Sequence, residues 1–510
     1  MRALRDVENS VGREAARGAT FRARRRGNPR WARLGAAPGW ISPRLTRCAA
    51  LLVAAISLGG VSPLYGADPD WHRVGDETAD LLADVIRVDT QNPPGAETAA
   101  ANLLARKLEA EGVAAQVFES APGRGNLYAR LPGNGTSKPV VLLAHLDVVP
   151  ADPRGWRLPP FSGTREHGYV YGRGALDAKG VAATELMALL AVKRAGPPLD
   201  RDIILLATAD EETGGRLGAG WIVTHRADLV ADAEYLVTEG DHIHTRSGGR
   251  KVLQVAVAEK TPCWVKLTSH GDPGHGSVPP PQTAVTRLVR ALDKLRRYRT
   301  AVRLVRPVEE YFAALAQLES EPLRGKLKHL GDALEEPGFF AEFTRNPGHN
   351  ALIRNTITPT VLEGSVKTNV IPAEASAQLD CRLLPGERPA DFLALLREVI
   401  ADETIRVDTL LSFPASSSDA TSGFMAAIRR LAETDLHGVP VVPSVIPGFT
   451  DSHYFREQGI ASYGFIPFVL TDDDERTVHG VNERVSVENL RDGVRRLVAL
   501  LRAIPPTSAR

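Results

Sequence analysis

Val140-Val141-Leu142-Leu143-Ala144-His145-Leu146-Asp147 is an apolar run that breaks off at a histidine and a carboxylate. Such a run reads as a strand buried on both faces of a parallel sheet, its carboxyl end marked by the polar residues. Side chains alternate along a strand, so His145 and Asp147 point the same way. A carboxylate so placed can bond one imidazole nitrogen, fix the tautomer and leave the other nitrogen for a metal ion. A lone histidine is more often a satisfied core residue than a ligand, so the rest of the chain must decide.

Working outward, the loop Gly172–Gly180 presents Asp177 just ahead of a helical pattern at 180–194. A second buried strand at 202–209, with the core Ile203–Ala207, ends in Asp210-Glu211-Glu212-Thr213-Gly214-Gly215. A third, short one at 235–237 ends in Thr238-Glu239-Gly240. Helical spacing at 74–88 and 97–112 and strands at 114–119 and 126–131 complete an alternating pattern with polar residues gathered at strand ends. That pattern predicts a doubly wound α/β catalytic domain with a mixed, mainly parallel sheet and a site along its carboxyl edge.

Near residue 261 the texture changes. Strands at 263–269, 358–367 and 376–383 and helices at 283–298 and 389–400 predict a smaller inserted α+β domain, a lid or dimerisation unit, with an extra helical piece at 307–347. Helices at 424–436 and 487–504 and a strand at 462–466 return to the first domain. The expected division is 1–67 as a basic segment with signal peptide or anchor, 68–260 with 416–510 as catalytic domain, and 261–415 as the insertion.

The chain has 510 residues, 43% hydrophobic and 24% charged, the balance of an ordinary globular protein of more than one domain. Its net charge of +1 conceals twelve arginines against three acids in residues 1–47, an excess of nine that leaves about eight negative charges on the remainder. Nothing there fits nucleic-acid binding. The apolar run at 48–64, followed by Tyr65-Gly66-Ala67, reads as a secretory signal with cleavage after Ala67. Tyr65 is a poor residue for that cleavage, so an uncleaved membrane anchor is the alternative, and the expected location is secreted or periplasmic. Cys263 and Cys381 alone make no disulfide framework and read as two buried thiols.

Collected by position, the candidates are His145, Asp147, Asp177, Glu211, Glu212 and Glu239, with His479 in Thr477–Glu483. Two histidines and three of the carboxylates make five ligands, a number that suits two zinc ions with one carboxylate between them. In an extended segment the adjacent Glu211 and Glu212 diverge, so one can bind metal while the other serves as general base.

The runs HLDVVPADPRGW, PPFSG, YVYGRGALDAKG, DEETGG, GHGSVPP, NVIPAEA, TDSHYF and HGVNE resemble metallopeptidase family 20, the dinuclear-zinc aminoacylase and carboxypeptidase family, over about residues 74–503. The wording is most similar to the carboxypeptidase S and N-acyl-amino-acid hydrolase branch. The resemblance implies His145 and Glu239 on one zinc, Glu212 and His479 on the other, Asp177 bridging, Asp147 orienting His145 and Glu211 as base. It implies two Zn2+ per subunit, with Co2+ or Mn2+ as substitutes. It also implies that His275 stabilises the oxyanion, often across a homodimer formed by the inserted domain, and that Asn369 and Arg382 hold a substrate carboxylate. Gly448 and Asp451 belong to a loop near the site and are substrate-binding candidates, Asp451 either at the substrate amide or behind the ligands; His453 replaces an arginine common in relatives, and His167, His242, His244 and His270 read as surface residues. The expected reaction is hydrolysis of an amide bond next to a free carboxylate, in a small peptide or an N-acyl amino acid. The rivals are an aminopeptidase or dipeptidase with a related catalytic domain, and a metal- or peptide-binding homologue without turnover.

Overall fold

The computed structural model describes residues 69–506; the basic segment and the apolar run at 48–64, with its signal and anchor readings, lie outside them. Among the described residues no helix is long and apolar enough to cross a membrane.

The large sheet has eight strands, in the order Ala115–Glu119, Gly125–Leu131, Ile203–Thr208, Val140–His145, Tyr235–Thr245, Ala461–Leu470, Lys251–Glu259 and Val441–Ile446. The His145 strand lies parallel between Ile203–Thr208 and Tyr235–Thr245, and Ala461–Leu470 runs parallel to the latter. The alternation along the opening run explains the layers. Val140, Leu142 and Ala144 join a core with helices Trp71–Ile86, Lys179–Arg194 and Val487–Ala503, whereas Val141 and Leu143 face Ala219 and Phe455 on the other side. With each face buried, a Val or Leu here contributes roughly 1.5–3 kcal/mol against the entropy of ordering the chain. Polar residues can then emerge only at the strand end.

The third strand is longer than its apolar core suggests, running from Tyr235 to Thr245. Gly240 and Gly464 make this possible. A Cβ on Gly240 would stand 2.9 Å from the Gly464 Cα, and one on Gly464 would stand 2.7 Å from the Glu239 carbonyl oxygen. The two backbones close on each other, the register shifts after Gly464, and the strand continues past Glu239. Strands Lys251–Glu259, Ile405–Ser412 and Val441–Ile446 also form where no strand was expected.

The inserted part is an antiparallel four-stranded sheet in the order Thr356–Glu363, Glu374–Leu383, Thr261–His270, Ile405–Ser412. Helices Ala284–Arg297 and Pro389–Ile400 cover it through a separate core that contains Cys263 and Cys381, both buried and free. The helical piece from Arg306 to Leu352 packs differently: its apolar residues meet Val252 and Ala258 on Lys251–Glu259 and Val442 and Val445 on the edge strand Val441–Ile446 of the large sheet. It covers the apolar face of those two strands.

Candidate metal centre and active site

His145 ends its strand fully buried, with Nε2 2.9 Å from Asp177 Oδ1, 3.3 Å from Glu239 Oε2 and 4.0 Å from Glu211 Oε2. The other oxygen of Asp177 lies 3.0 Å from His479 Nε2, which is also 3.2 Å from Glu212 Oε1. Asp177 therefore stands between two imidazoles, Glu239 flanking one and Glu212 the other. His145, Asp177 and Glu212, and likewise His145, Glu211 and Glu239, offer ligand atoms within 4.8 Å of one another.

The His145 ring and the segments that carry Asp177, Glu211, Glu212 and His479 are held from behind. Nδ1–H of His145 donates to the Asp147 backbone carbonyl at 2.9 Å, and the Asp147 carboxylate is farther, at 3.5 Å. That carboxylate accepts instead from the backbone N–H groups of Glu211 and Glu212, both at 3.1 Å, and from Asn92 Nδ2 at 2.8 Å. Glu211–Thr213 is not extended, as the sequence reading assumed, but one turn of 3₁₀ helix, entered through Asp210 at a left-handed φ of 75°. Asp210 takes Arg124 Nη2 at 3.0 Å, and Arg124 is paired in turn with buried Glu97 at 2.8 Å. On the other flank, buried Glu483 accepts N–H groups from Gly174, Leu176 and Asp177 and pairs with Arg173 at 2.7 Å. Arg173 Nη2 also donates to the Gly480 carbonyl at 2.9 Å, beside His479 at a φ of 56°. A left-handed non-glycine residue costs about 1–3 kcal/mol, and these contacts hold it.

The electrostatics call for added positive charge. Burial and the charge of Glu239 push Glu211 well above the usual carboxylate range, and burial carries Glu239 to about 7. Burial works against a charged His145, yet Glu239, Asp147 and Asp177 raise it well above the usual imidazole range. Hydrogen bonds to the carboxylates of Asp177 and Glu212 bring His479 to about 10. Crowded carboxylates with two imidazoles are the donor chemistry of divalent transition metals, so these residues fit a metal centre.

The site opens into a cavity of about 530 Å³ lined by Asp177, Glu211, Glu212, Glu239 and His479, and on the far wall by Trp264, Arg382, Gly448 and Phe449. Arg382 Nε and Nη2 bond to Asp380, its guanidinium carbon lies 5.6 Å from the Trp264 ring centre and 5.2 Å from that of Phe449, and buried Nη1 has no partner. Asp451 is buried beneath the site, its Oδ2 accepting from Thr208 Oγ1 at 3.0 Å. His275, on the short strand Gly274–His275, and Asn369, in the turn just before the paired strand Val370–Ile371, stand apart and exposed, and neither lines the cavity.

The peptidase family M20/M25/M40 profile matches residues 141–503. The chain belongs to that family. It is accordingly a hydrolase of amide bonds. Among relatives, mouse (Mus musculus) N-fatty-acyl-amino acid synthase/hydrolase PM20D1 is 33% identical over 371 residues, covering 70% of this chain and 72% of its own. Mouse aminoacylase-1 is 27% identical, covering 83% of this chain and 94% of its own. Among solved structures, the M20 metallo-carboxypeptidase Sso-CP2 of Sulfolobus solfataricus superposes with a TM-score of 0.66 at 23% identity, covering 84% of this chain and 99% of that one. At that identity the likeness speaks for the fold.

Within this M20 chain, several supporting residues escaped sequence reading. Asn92, Glu97 and Arg124 carry no motif; Asp210 and Glu483 stood inside recognisable runs, DEETGG and HGVNE, with no supporting role assigned to them. His167 and His270 are exposed, as expected. His242 and His244 are not surface residues: His242 is buried and His244 partly buried, because the strand that carries them continues into the sheet. His453, also buried, stacks on Phe413 at 3.5 Å between ring centres.

Proposed function

We propose that this chain hydrolyses the amide bond next to a free carboxylate, in an N-acyl amino acid or at the C-terminus of a small peptide, with two zinc ions held by His145, Asp177, Glu212, Glu239 and His479. One observation carries the substrate class: Arg382 lines the same cavity as the acidic centre and keeps a buried Nη1 without a partner. A guanidinium anchored by Asp380 on a residue that lines the cavity is suited to a carboxylate. Val149, Leu176, Ile446, Ile466, Leu470 and Val478 give the cavity apolar walls that fit an acyl chain or an apolar side chain. The relatives named as an N-fatty-acyl-amino acid hydrolase and an aminoacylase agree with that choice.

When bound, the metal pair would polarise the scissile carbonyl and make water easier to deprotonate. The protein's own residues do the rest. Glu211 takes a proton from the attacking water and returns it to the departing nitrogen. Asp147 holds the Glu211–Glu212 turn by its backbone N–H groups, so base and ligand keep their spacing. Arg382 fixes the carboxylate end of the substrate. His275 and Asn369, exposed and away from the cavity, fit delivery into the site of a second copy of the chain. The basic segment and the apolar run at 48–64 support export, with cleavage or anchoring as the two outcomes.

The test is turnover of a panel of N-acyl amino acids and dipeptides by zinc-loaded protein, each beside its C-terminal amide. Strong preference for the free carboxylate is expected. Equal turnover of acid and amide would overturn the assignment.

A further inference from the structure

His242 and His244 are two residues apart on strand Tyr235–Thr245, so both imidazoles leave the same face. Their ring centres are 3.8 Å apart. His242 Nε2 and His244 Nδ1 converge on a single atom, Glu475 Oε1, each at 2.8 Å. On the opposite side of its ring, His244 Nε2 lies 2.7 Å from Asp241 Oδ1. Asp241, His242 and His244 also offer ligand atoms within 4.8 Å of one another. His242 and Glu475 form part of the cavity wall, yet the hydrolytic reading uses none of these four residues.

Two imidazole nitrogens aimed at one carboxylate oxygen make a transition-metal donor set. Asp241 accepts the Nε2–H of His244, so that a cation displacing the Nδ1 proton would meet a lone pair already aimed at Glu475, the arrangement that orients metal-binding histidines. Zinc ligands at about 2.0–2.1 Å in a tetrahedron lie roughly 3.3 Å from each other, so the donor atoms need to part by only about 0.5 Å. We propose that His242, His244 and Glu475, with Asp241 behind His244, hold a further divalent cation of the zinc class, separate from the pair at His145 and His479. Glu475 precedes His479 by four residues, in the segment that leaves strand Ala461–Leu470. A cation here ties the His479 loop to the end of the Glu239 strand.

The experiment is zinc per chain, by inductively coupled plasma mass spectrometry after equilibration in buffered Zn2+, for wild type, His242→Ala, His244→Ala and Glu475→Gln. Each variant is expected to hold one zinc fewer than wild type. Asp241→Asn, which keeps all three donor groups, is expected to hold the full count with about 10–100-fold weaker affinity for one ion. Glu475 is partly exposed, so its variant retains the readout if a histidine variant fails to fold. Equal zinc content in wild type and the folded variants would overturn the proposal. The zinc lost on substitution, and not the total, is the quantity read, so failure of the two-zinc reading at His145 and His479 is seen separately.

Discussion

The carboxylate of Glu483 accepts the backbone N–H of Asp177 at 3.2 Å, so the loop that carries His479 grips the loop that carries the carboxylate between the two histidines. Glu483 is fully buried and also pairs with Arg173. Glu483→Gln keeps the shape and removes the charge opposite Arg173. Breaking a buried pair from one side costs about 3–5 kcal/mol. Denaturant unfolding should show that loss, and metal titration should show affinity weakened about 10–100-fold.

Glu211 stands 4.0 Å from His145 Nε2, with its carboxylate on the cavity wall. As the proposed base, Glu211→Gln is expected to lower kcat by about 10²–10⁴-fold. Its zinc content should match wild type. Unchanged turnover, or loss of zinc in parallel with activity, would assign it another role.

Arg382 is bound to Asp380 through Nε and Nη2. Lysine cannot reproduce that fork and a free Nη1 together. Arg382→Lys should raise KM for substrates with a free carboxylate, and a lost charge-assisted hydrogen bond of about 1.5–3 kcal/mol corresponds to roughly 10–100-fold in kcat/KM. Hydrolysis of the matching C-terminal amide should change far less. Steady-state kinetics on the acid and amide pair checks this.

Removing metal leaves Asp177, Glu211, Glu212 and Glu239 sharing one largely buried space with two imidazoles. Chelation is expected to abolish turnover and lower the melting temperature, and Zn2+ to restore both. At zinc about 100-fold above its dissociation constant the gain is about 2.7 kcal/mol per site. Differential scanning calorimetry with and without chelator measures it.

Lys260, between the large sheet and the insertion, donates to the Ala351 and Arg354 carbonyls at 2.8 Å, and burial lowers its pKa to about 7. The folded pKa lies below the unfolded one, about 10.4. Between the two the unfolded chain binds the extra proton, so this group makes stability rise with pH from about 7 towards 10, by at most about 1.4 kcal/mol per pH unit. Lys260→Met should flatten that rise in unfolding curves at pH 7 and 9.

Much of the frame was legible from local pattern. The all-apolar Val140–Ala144 can be satisfied only by burial on both faces, and its abrupt end at His145 places the site at a strand terminus. The same logic found Asp177, Glu211, Glu212 and Glu239, and the structure brings them together with His479. Strand Val441–Ile446 was missed because it pairs at the edge and carries Pro443 and Ser444 in place of an apolar run. The length of the Glu239 strand was missed because two glycines that signal a break in isolation serve close packing against each other.

The sequence by itself determined the doubly wound layers, the insertion and the residues able to hold metal, since these follow from hydrophobic period and from motifs that are contiguous in the chain. Only the tertiary structure decided how those residues are held. The Asp147 carboxylate serves the Glu211–Glu212 turn, with its carbonyl left to His145; Glu483 clamps the Asp177 loop; and His242 and His244 meet Glu475 inside the sheet edge. Apart from the bond to His145, which spans two residues, each is a hydrogen bond or ion pair between segments far apart in the chain. Such contacts leave no periodic trace, because burial selects a partner by proximity in space and not by spacing in sequence.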